Sequence, residues 1–351
     1  MKKLKELFSS SAFNILLIAG LSALVVYLTV RDNPAEIFEQ LKTADRGWLL
    51  VIVFAIIMIR VCSGLAIKTE CNLTRPEYTA RQGIENAFVG GLFNEITPSA
   101  SGGQFAQVFL FRRQGVPVTE AAGVLWMNFI IYQTTMVISV FILILLKFHT
   151  VYIRYSQFFI VVLFGFALNA VVIVSLWAFV RFPKFYTWIT TKGIEIGAKL
   201  HLIKDREKTL HNLDVQLKKF QQEIAVLSEN KSMVFKVAGL HFARLMIYYS
   251  LPFLCARALH MDAPLSLLPD MITLASFVSM VTAFVPLPGA SGGAEATFVL
   301  MFSNLFGLKA VRSLMLLWRF MSYYFDMMLG AVVFLIAKNR PEVTGFEGED
   351  S

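Results

Sequence analysis

Charge is scarce in this sequence. Asp, Glu, Lys and Arg together make up 16% of the 351 residues, against about 25% in soluble domains, and they cluster between long apolar runs. Such a chain cannot cover itself with a hydrated surface, so a soluble enzyme is excluded. Cysteine is scarcer still. Cys62, Cys71 and Cys255 are too few and too scattered for a disulfide framework or a zinc site. The histidines form no H-x-x-x-H pair, so no metal is expected, and no other cofactor is indicated. A phosphate loop of the form G-x-x-x-x-G-K-[ST] is missing, which removes nucleotide hydrolysis by the chain itself. Behind the basic head MKKLKELFSS, the apolar run Ala12–Val30 passes into YLTVRDN with no small-x-small cleavage site. The run therefore reads as a retained membrane helix and not as a cleaved signal peptide.

What the sequence has in quantity is apolar length. Hydrophobic residues reach 56%, with 32 Phe and a mean hydropathy of +0.63. A helix crosses the hydrocarbon core with about 20 apolar residues. Runs of that size are predicted at 12–30, 48–67, 121–146, 157–180, 234–259 and 313–337. Two more apolar stretches, 83–111 and 264–306, are interrupted by Pro and Gly and read as hairpins of two arms. The expectation is an all-α polytopic membrane bundle of about six full crossings plus two broken, re-entrant hairpins, spanning residues 1–340.

The net charge of +8 lies in short loops, which reads as topology and anionic-lipid contact and not as nucleic-acid binding. Lys2, Lys3 and Lys5 place the N-terminus in the cytoplasm. The Lys- and Arg-rich segment 181–236 and the end of the chain, with Lys338 and Arg340, fall on the same side, whereas Lys309 and Arg312 are left on the outer side. Leu210, Leu213, Leu217, Phe220, Ile224 and Leu227 recur at helical spacing. They predict an amphipathic helix over 195–231, either lying on the inner leaflet or docking a partner. The tail 341–351 ends GFEGEDS and is acidic.

The two interruptions repeat one sequence. Pro98-Ser99-Ala100-Ser101-Gly102-Gly103-Gln104 and Pro288-Gly289-Ala290-Ser291-Gly292-Gly293-Ala294 align without a gap at an offset of 190, with five identities in seven. Pro and Gly-Gly free backbone amides and carbonyls at membrane depth. Such groups are tolerated only inside protein or facing water. Each new arm aims its N-terminal amides at the break, where Ser can cap it or an anion such as a lipid phosphate can approach. Paired broken helices in inverted halves point to a central substrate site. The structural alternative is a pair of tight turns packed through small residues.

Charged and amide side chains at membrane depth fit the same site. Arg60, Glu85, Glu95, Gln104, Gln107, Arg244, Glu295, Arg319 and Asp326 all fall within apolar segments. Candidate lipid contacts are Arg60, Glu95, Ser101, Gly102, Gly103, Gln104, Arg112, Ser291, Gly292, Gly293, Glu295 and Arg319; no catalytic residue is assigned. Two alternatives stay open. Glu295 could simply complement a helix N-terminus, and Arg60 and Arg319 could pair with Glu95, Glu295 or Asp326 to join helices. If Glu295 recognises a headgroup, Glu295→Gln lowers lipid movement without lowering expression.

NEITPSASGGQFAQVFLFRRQG at 94–115, PLPGASGGAE at 286–295 and LLWRFMSYYFDMMLG at 316–330 together resemble the membrane region of the lysylphosphatidylglycerol synthase, or multiple peptide resistance factor, family. Full-length members of that family carry a C-terminal aminoacyl-transferase domain that uses aminoacyl-tRNA. This chain ends about a dozen residues after its last predicted helix, so that domain is expected to be absent. The resemblance implies a flippase that moves anionic or aminoacylated phosphatidylglycerol, or a related phospholipid, between plasma-membrane leaflets. It would thereby alter surface charge and resistance to cationic peptides. A phosphatidylglycerol lysyltransferase, or a scaffold for a separate cytoplasmic synthase, is the alternative. Self-association is left open.

Overall fold

In the computed structural model, the described residues are 35, 39, 41–181, 224–226, 228–283 and 285–340. The expected helix 12–30, most of the amphipathic segment 195–231 and the tail 341–351 lie outside them. The described chain is helical throughout: α1 (Arg46–Cys71), α2 (Ala80–Ile96), α3 (Gly102–Arg113), α4 (Val118–Arg181), α5 (Lys231–Ala258), α6 (Leu268–Thr282), α7 (Gly293–Arg319) and α8 (Asp326–Lys338), with a π-helical stretch, Phe320–Phe325, joining the last two. Five stretches among the described residues are long and apolar enough to cross a membrane. Large apolar side chains such as Phe54, Phe105, Leu146 and Phe235 are more than half exposed, as lipid contact requires. The fold is an all-α membrane bundle.

Local signals explain the helix starts. Asp45 caps α1 by accepting from the Trp48 amide at 2.9 Å. Thr79 and Gln82 form a capping box on α2, and Asn230 caps α5 through the Met233 amide. These side chains satisfy donors that a helix leaves free. Glycine sets how closely α1 and α2 pack. A Cβ on Gly64 would stand 2.4 Å from the Ile84 Cα, so only glycine permits that backbone approach.

Two helix assignments hide reversals. α4 runs through the loop expected at 147–156, yet the Phe141 and Phe166 rings stack with centroids 5.9 Å apart. On a straight helix, at about 1.5 Å per residue, they would be separated by roughly 37 Å. The segment therefore folds back between them, in keeping with the separate crossings predicted at 121–146 and 157–180. In α7, Gly307 leaves helical geometry (φ 75°, ψ 159°), which ends a short arm and starts the last crossing.

The order of contacts fixes two faces. One face gathers the end of α1, the base of the α2–α3 hairpin and the end of α8: Gln114 donates to the Gln82 carbonyl, and Arg340 pairs with Glu85. The other gathers the start of α1, the end of α5 and the base of the α6–α7 hairpin, where the Asp45 amide donates to the Ala258 carbonyl and Lys147 pairs with Asp270. Because α1 runs from the second face to the first, the two hairpins enter from opposite faces. Their tips, Pro98–Ala100 and Pro288–Ala290, touch. The first arms of the two hairpins are similar in length, with 17 residues in α2 and 15 in α6. Residues after Thr282 are already part of the tip, so the two hairpins are close in size.

Candidate functional site

The repeated sequence folds into a repeated backbone. Ser99 has φ 53°, ψ 26° and Gly289 has φ 56°, ψ 21°; Ala100 and Ala290 both have φ 52°. Three of these four are not glycine, and the left-handed conformation is costly for them. In both tips the Ser hydroxyl donates back to the Pro carbonyl, Ser101 to Pro98 at 3.0 Å and Ser291 to Pro288 at 2.8 Å. The hydroxyls are thus used within the turns, and neither caps the helix that follows, contrary to expectation. The α3 amides are met instead by Thr97 Oγ1 on Gly102 (2.8 Å) and Asn94 Oδ1 on Gly103 (3.0 Å). At α7 the Glu295 carboxylate accepts from the Gly292 amide at 2.7 Å. These freed amides are therefore satisfied by the protein and are not held open for a phosphate. Gly103 serves packing: a Cβ there would meet the Asn94 side chain and the Gly90 carbonyl.

Two cavities meet at the tips. One, of about 410 Å³, extends toward the second face past Met136, Leu251 and Ser279. The other, of about 590 Å³, extends toward the first face past Ser63, Gln107 and Asn128. Both lie in the range of ligand pockets. They share a wall that includes Arg60, Asn94, Ser99, Ala100, Tyr132 and Arg244. Ser101 and Gln104 line the cavity on the first-face side.

The last helix clamps both tips. Arg319, Ser322, Tyr323 and Asp326 all face the cavity on the second-face side, at the i, i+3, i+4, i+7 spacing of one helical stripe. The π-helical turn falls within this stripe. Arg319 donates to the Gly289 carbonyl (2.7 Å) and the Ser291 hydroxyl (3.2 Å), pairs with Glu295 (2.7 Å), and lies 4.0 Å above the Tyr323 ring centroid. Tyr323 donates to the Glu95 carbonyl at 3.0 Å. Arg60 Nε donates to Asp326 at 2.9 Å and Nη2 to Glu95 at 3.0 Å, with a second bond from Nη2 to Asp326. Gly91 makes room, since a Cβ there would stand 2.2 Å from the Arg60 guanidinium.

Arg244 differs from Arg60 and Arg319. It lines both cavities, and no carboxylate pairs with it among the described residues; its guanidinium lies over the Tyr132 ring at 4.6 Å. His241, one turn before it, is fully buried, packs edge-on against the same ring, and neither of its ring nitrogens has a hydrogen-bond partner.

Of the predicted contacts, Arg60, Glu95, Ser101, Gln104 and Arg319 reach a cavity wall, and the tertiary fold unites them. Glu295 is buried behind Arg319, and Gly102, Gly103, Gly292 and Gly293 form backbone around the tips. Ser291 is buried beneath Arg319. Arg112 is exposed at the hairpin base, one α3 length (roughly 18 Å) from the tip, and belongs to the flank of the hairpin. Arg244, Tyr132 and Asp326 join the site although the predicted set omitted them. An Arg midway along the apolar run 234–259 was the available signal for Arg244.

The family model described as lysylphosphatidylglycerol synthase TM region matches residues 13–330. No curated protein and no solved structure matches the chain.

Proposed function

The chain belongs to the lysylphosphatidylglycerol synthase transmembrane-region family, and on that premise we propose that it is a flippase-type lipid transporter of the plasma membrane. It moves an anionic or aminoacylated phospholipid, such as phosphatidylglycerol or a derivative, between leaflets. Altered surface charge and resistance to cationic peptides would follow. One observation carries the reading. Among the described residues, Arg244 is the cavity guanidinium without a carboxylate partner, and it faces cavities that lead to opposite faces. A cation left without a protein counter-ion at membrane depth is unfavourable, so a ligand anion is its natural complement. Arg60 and Arg319, tied to carboxylates and to both tips, hold the hairpins in place around it. The first face, with Lys68, Arg75, Arg113 and Arg340, is assigned to the cytoplasm by its Lys and Arg. The same excess puts both termini on that side.

The test is leaflet-resolved. Proteoliposomes carrying a fluorescent phosphatidylglycerol are exposed to an impermeant quencher, and the protected fraction is followed in time. Arg244→Gln is expected to slow exchange at least tenfold per folded molecule, a loss of about 1.4 kcal/mol or more of anion contact, while Arg112→Gln leaves it unchanged. Undiminished exchange in Arg244→Gln would remove the assignment.

A further inference from the structure

The charges around the cavities balance in a way that changes when an anion binds. Arg60, Arg244 and Arg319 face three carboxylates, Glu95, Glu295 and Asp326. Arg319 and Glu295 neutralise one another. Arg60 is shared between Glu95 and Asp326, so that cluster carries one surplus negative charge. Arg244, on the shared wall, supplies the surplus positive charge, and the empty site is neutral. A lipid phosphate on Arg244 takes that counter-charge away. In a site enclosed by apolar helices, a residual charge is strongly disfavoured, so phosphate binding draws in one positive charge.

Glu95 and Asp326 are placed to receive it. Glu95 gives one oxygen to Arg60, and its other, Oε2, is buried with no hydrogen-bond partner among the described residues. Both carboxylates accept from the same Arg60 Nη2, so they lie side by side around one guanidinium. Two carboxylates held this close can share one added proton between them. The other ionisable groups acting on this cluster are Arg60 from α1, Tyr248 from α5, and Arg319 and Tyr323 from the last helix. Each of them is cationic or a neutral phenol. Glu295, the remaining carboxylate, is held by Arg319 on the far side.

We propose that the Glu95–Asp326 pair takes up one proton when a lipid phosphate seats on Arg244, so that an anionic phospholipid crosses together with a proton. This rests on the reading of Arg244 as the phosphate contact. The proton comes from the water on the side where the lipid enters, is shared between Glu95 Oε2 and Asp326, and leaves to water on the opposite side as the lipid departs. One negative and one positive charge move together, so the step is electroneutral, and the only bonds made and broken are the O–H bonds of the proton passed from water to the carboxyl pair and back to water. A lipid that carries an amine beside its phosphate brings the compensating charge itself and needs no proton.

The experiment measures binding of dihexanoyl phosphatidylglycerol to the full chain in detergent, by calorimetry across neutral pH. Uptake of one proton makes binding tight at low pH and weaker as pH rises, by up to about tenfold per pH unit. Glu95→Gln and Asp326→Asn each remove a carboxylate while keeping its shape. Either is expected to bind at alkaline pH as tightly as the wild type does at acid pH, with a flat profile. Two such variants guard against misfolding of one, and the wild-type slope needs neither. Dihexanoyl phosphatidylethanolamine, which has an amine, should bind the wild type with little pH dependence. A flat wild-type profile for phosphatidylglycerol, with binding still abolished by Arg244→Gln, overturns the proton uptake and leaves the phosphate contact standing. An equally steep profile for phosphatidylethanolamine also overturns it. Undetectable wild-type binding, or full binding by Arg244→Gln, overturns the phosphate contact itself.

Discussion

Glu295 occupies the first turn of α7, where its carboxylate accepts from the Gly292 amide and pairs with Arg319. That double role changes what its substitution should do. The sequence alone favoured a headgroup contact, with Glu295→Gln slowing lipid movement. The geometry places Glu295 behind Arg319, so the same change keeps a hydrogen bond to Gly292 but leaves Arg319 without its counter-ion. Breaking a buried pair by removing one partner costs about 3–5 kcal/mol. The expected outcome is a lower thermal midpoint and less folded protein, with transport per folded molecule largely retained. A folded yield like that of the wild type with much slower specific transport would return Glu295 to the headgroup site. Arg60 is subject to the same logic, since it holds two carboxylates on different elements. The proton-linked binding inferred for Glu95 and Asp326 belongs to this scale too, because it follows from which carboxylate oxygen lacks a partner.

At the scale of the element, the two tips share a left-handed turn built from different residues. Gly289 adopts φ 56° freely, but a Cβ there would stand 2.2 Å from the Tyr323 ring. Gly289→Ala therefore adds both backbone strain and a clash with the residue that ties the last helix to the first tip. A drop in thermal midpoint corresponding to ~1–3 kcal/mol is expected. At the matching position the chain has Ser99, with φ 53°. Ser99→Gly relieves that strain but gives the unfolded chain more freedom to lose on folding, and should be neutral or stabilising within ~1 kcal/mol. Differential scanning fluorimetry on both variants tests the shared geometry. Equal destabilisation by the two would show that the tips are not held as described. A serine and two alanines strained where glycine would relax the turn fit a tip that lines a site, since strain of this kind tends to collect at functional positions.

For the whole molecule, the central feature is that two hairpins enter from opposite faces and touch at their tips. The three native cysteines are buried, so single-cysteine labelling has a quiet background. Glu77 lies in the loop after α1 and Asp262 in the loop after α5, both exposed. With each changed to Cys in turn, an impermeant maleimide added to intact cells should label the Asp262 position, and should reach the Glu77 position only after permeabilisation. Labelling of both from outside would contradict the crossing of α1 and α5, and the reverse pattern would invert the orientation.

Much of this was legible along the chain. Apolar runs are set by composition and length, because the bilayer imposes a fixed thickness and penalises unpaired backbone groups. The crossings at 48–67, 121–146 and 234–259, both broken segments and the kinship of the two tips therefore emerge from the sequence alone. Ion pairing does not. Arg60 and Asp326 are 266 positions apart, and no periodicity in one helix reveals which carboxylate a guanidinium meets on another. Only packing decided that Arg60 and Arg319 are neutralised, that Glu295 caps a helix, that Thr97 and Asn94 close the first set of amides, and that Arg244 is left facing both cavities. Local sequence fixes what each segment must hide from lipid, whereas the choice of partner at membrane depth depends on which helices come side by side.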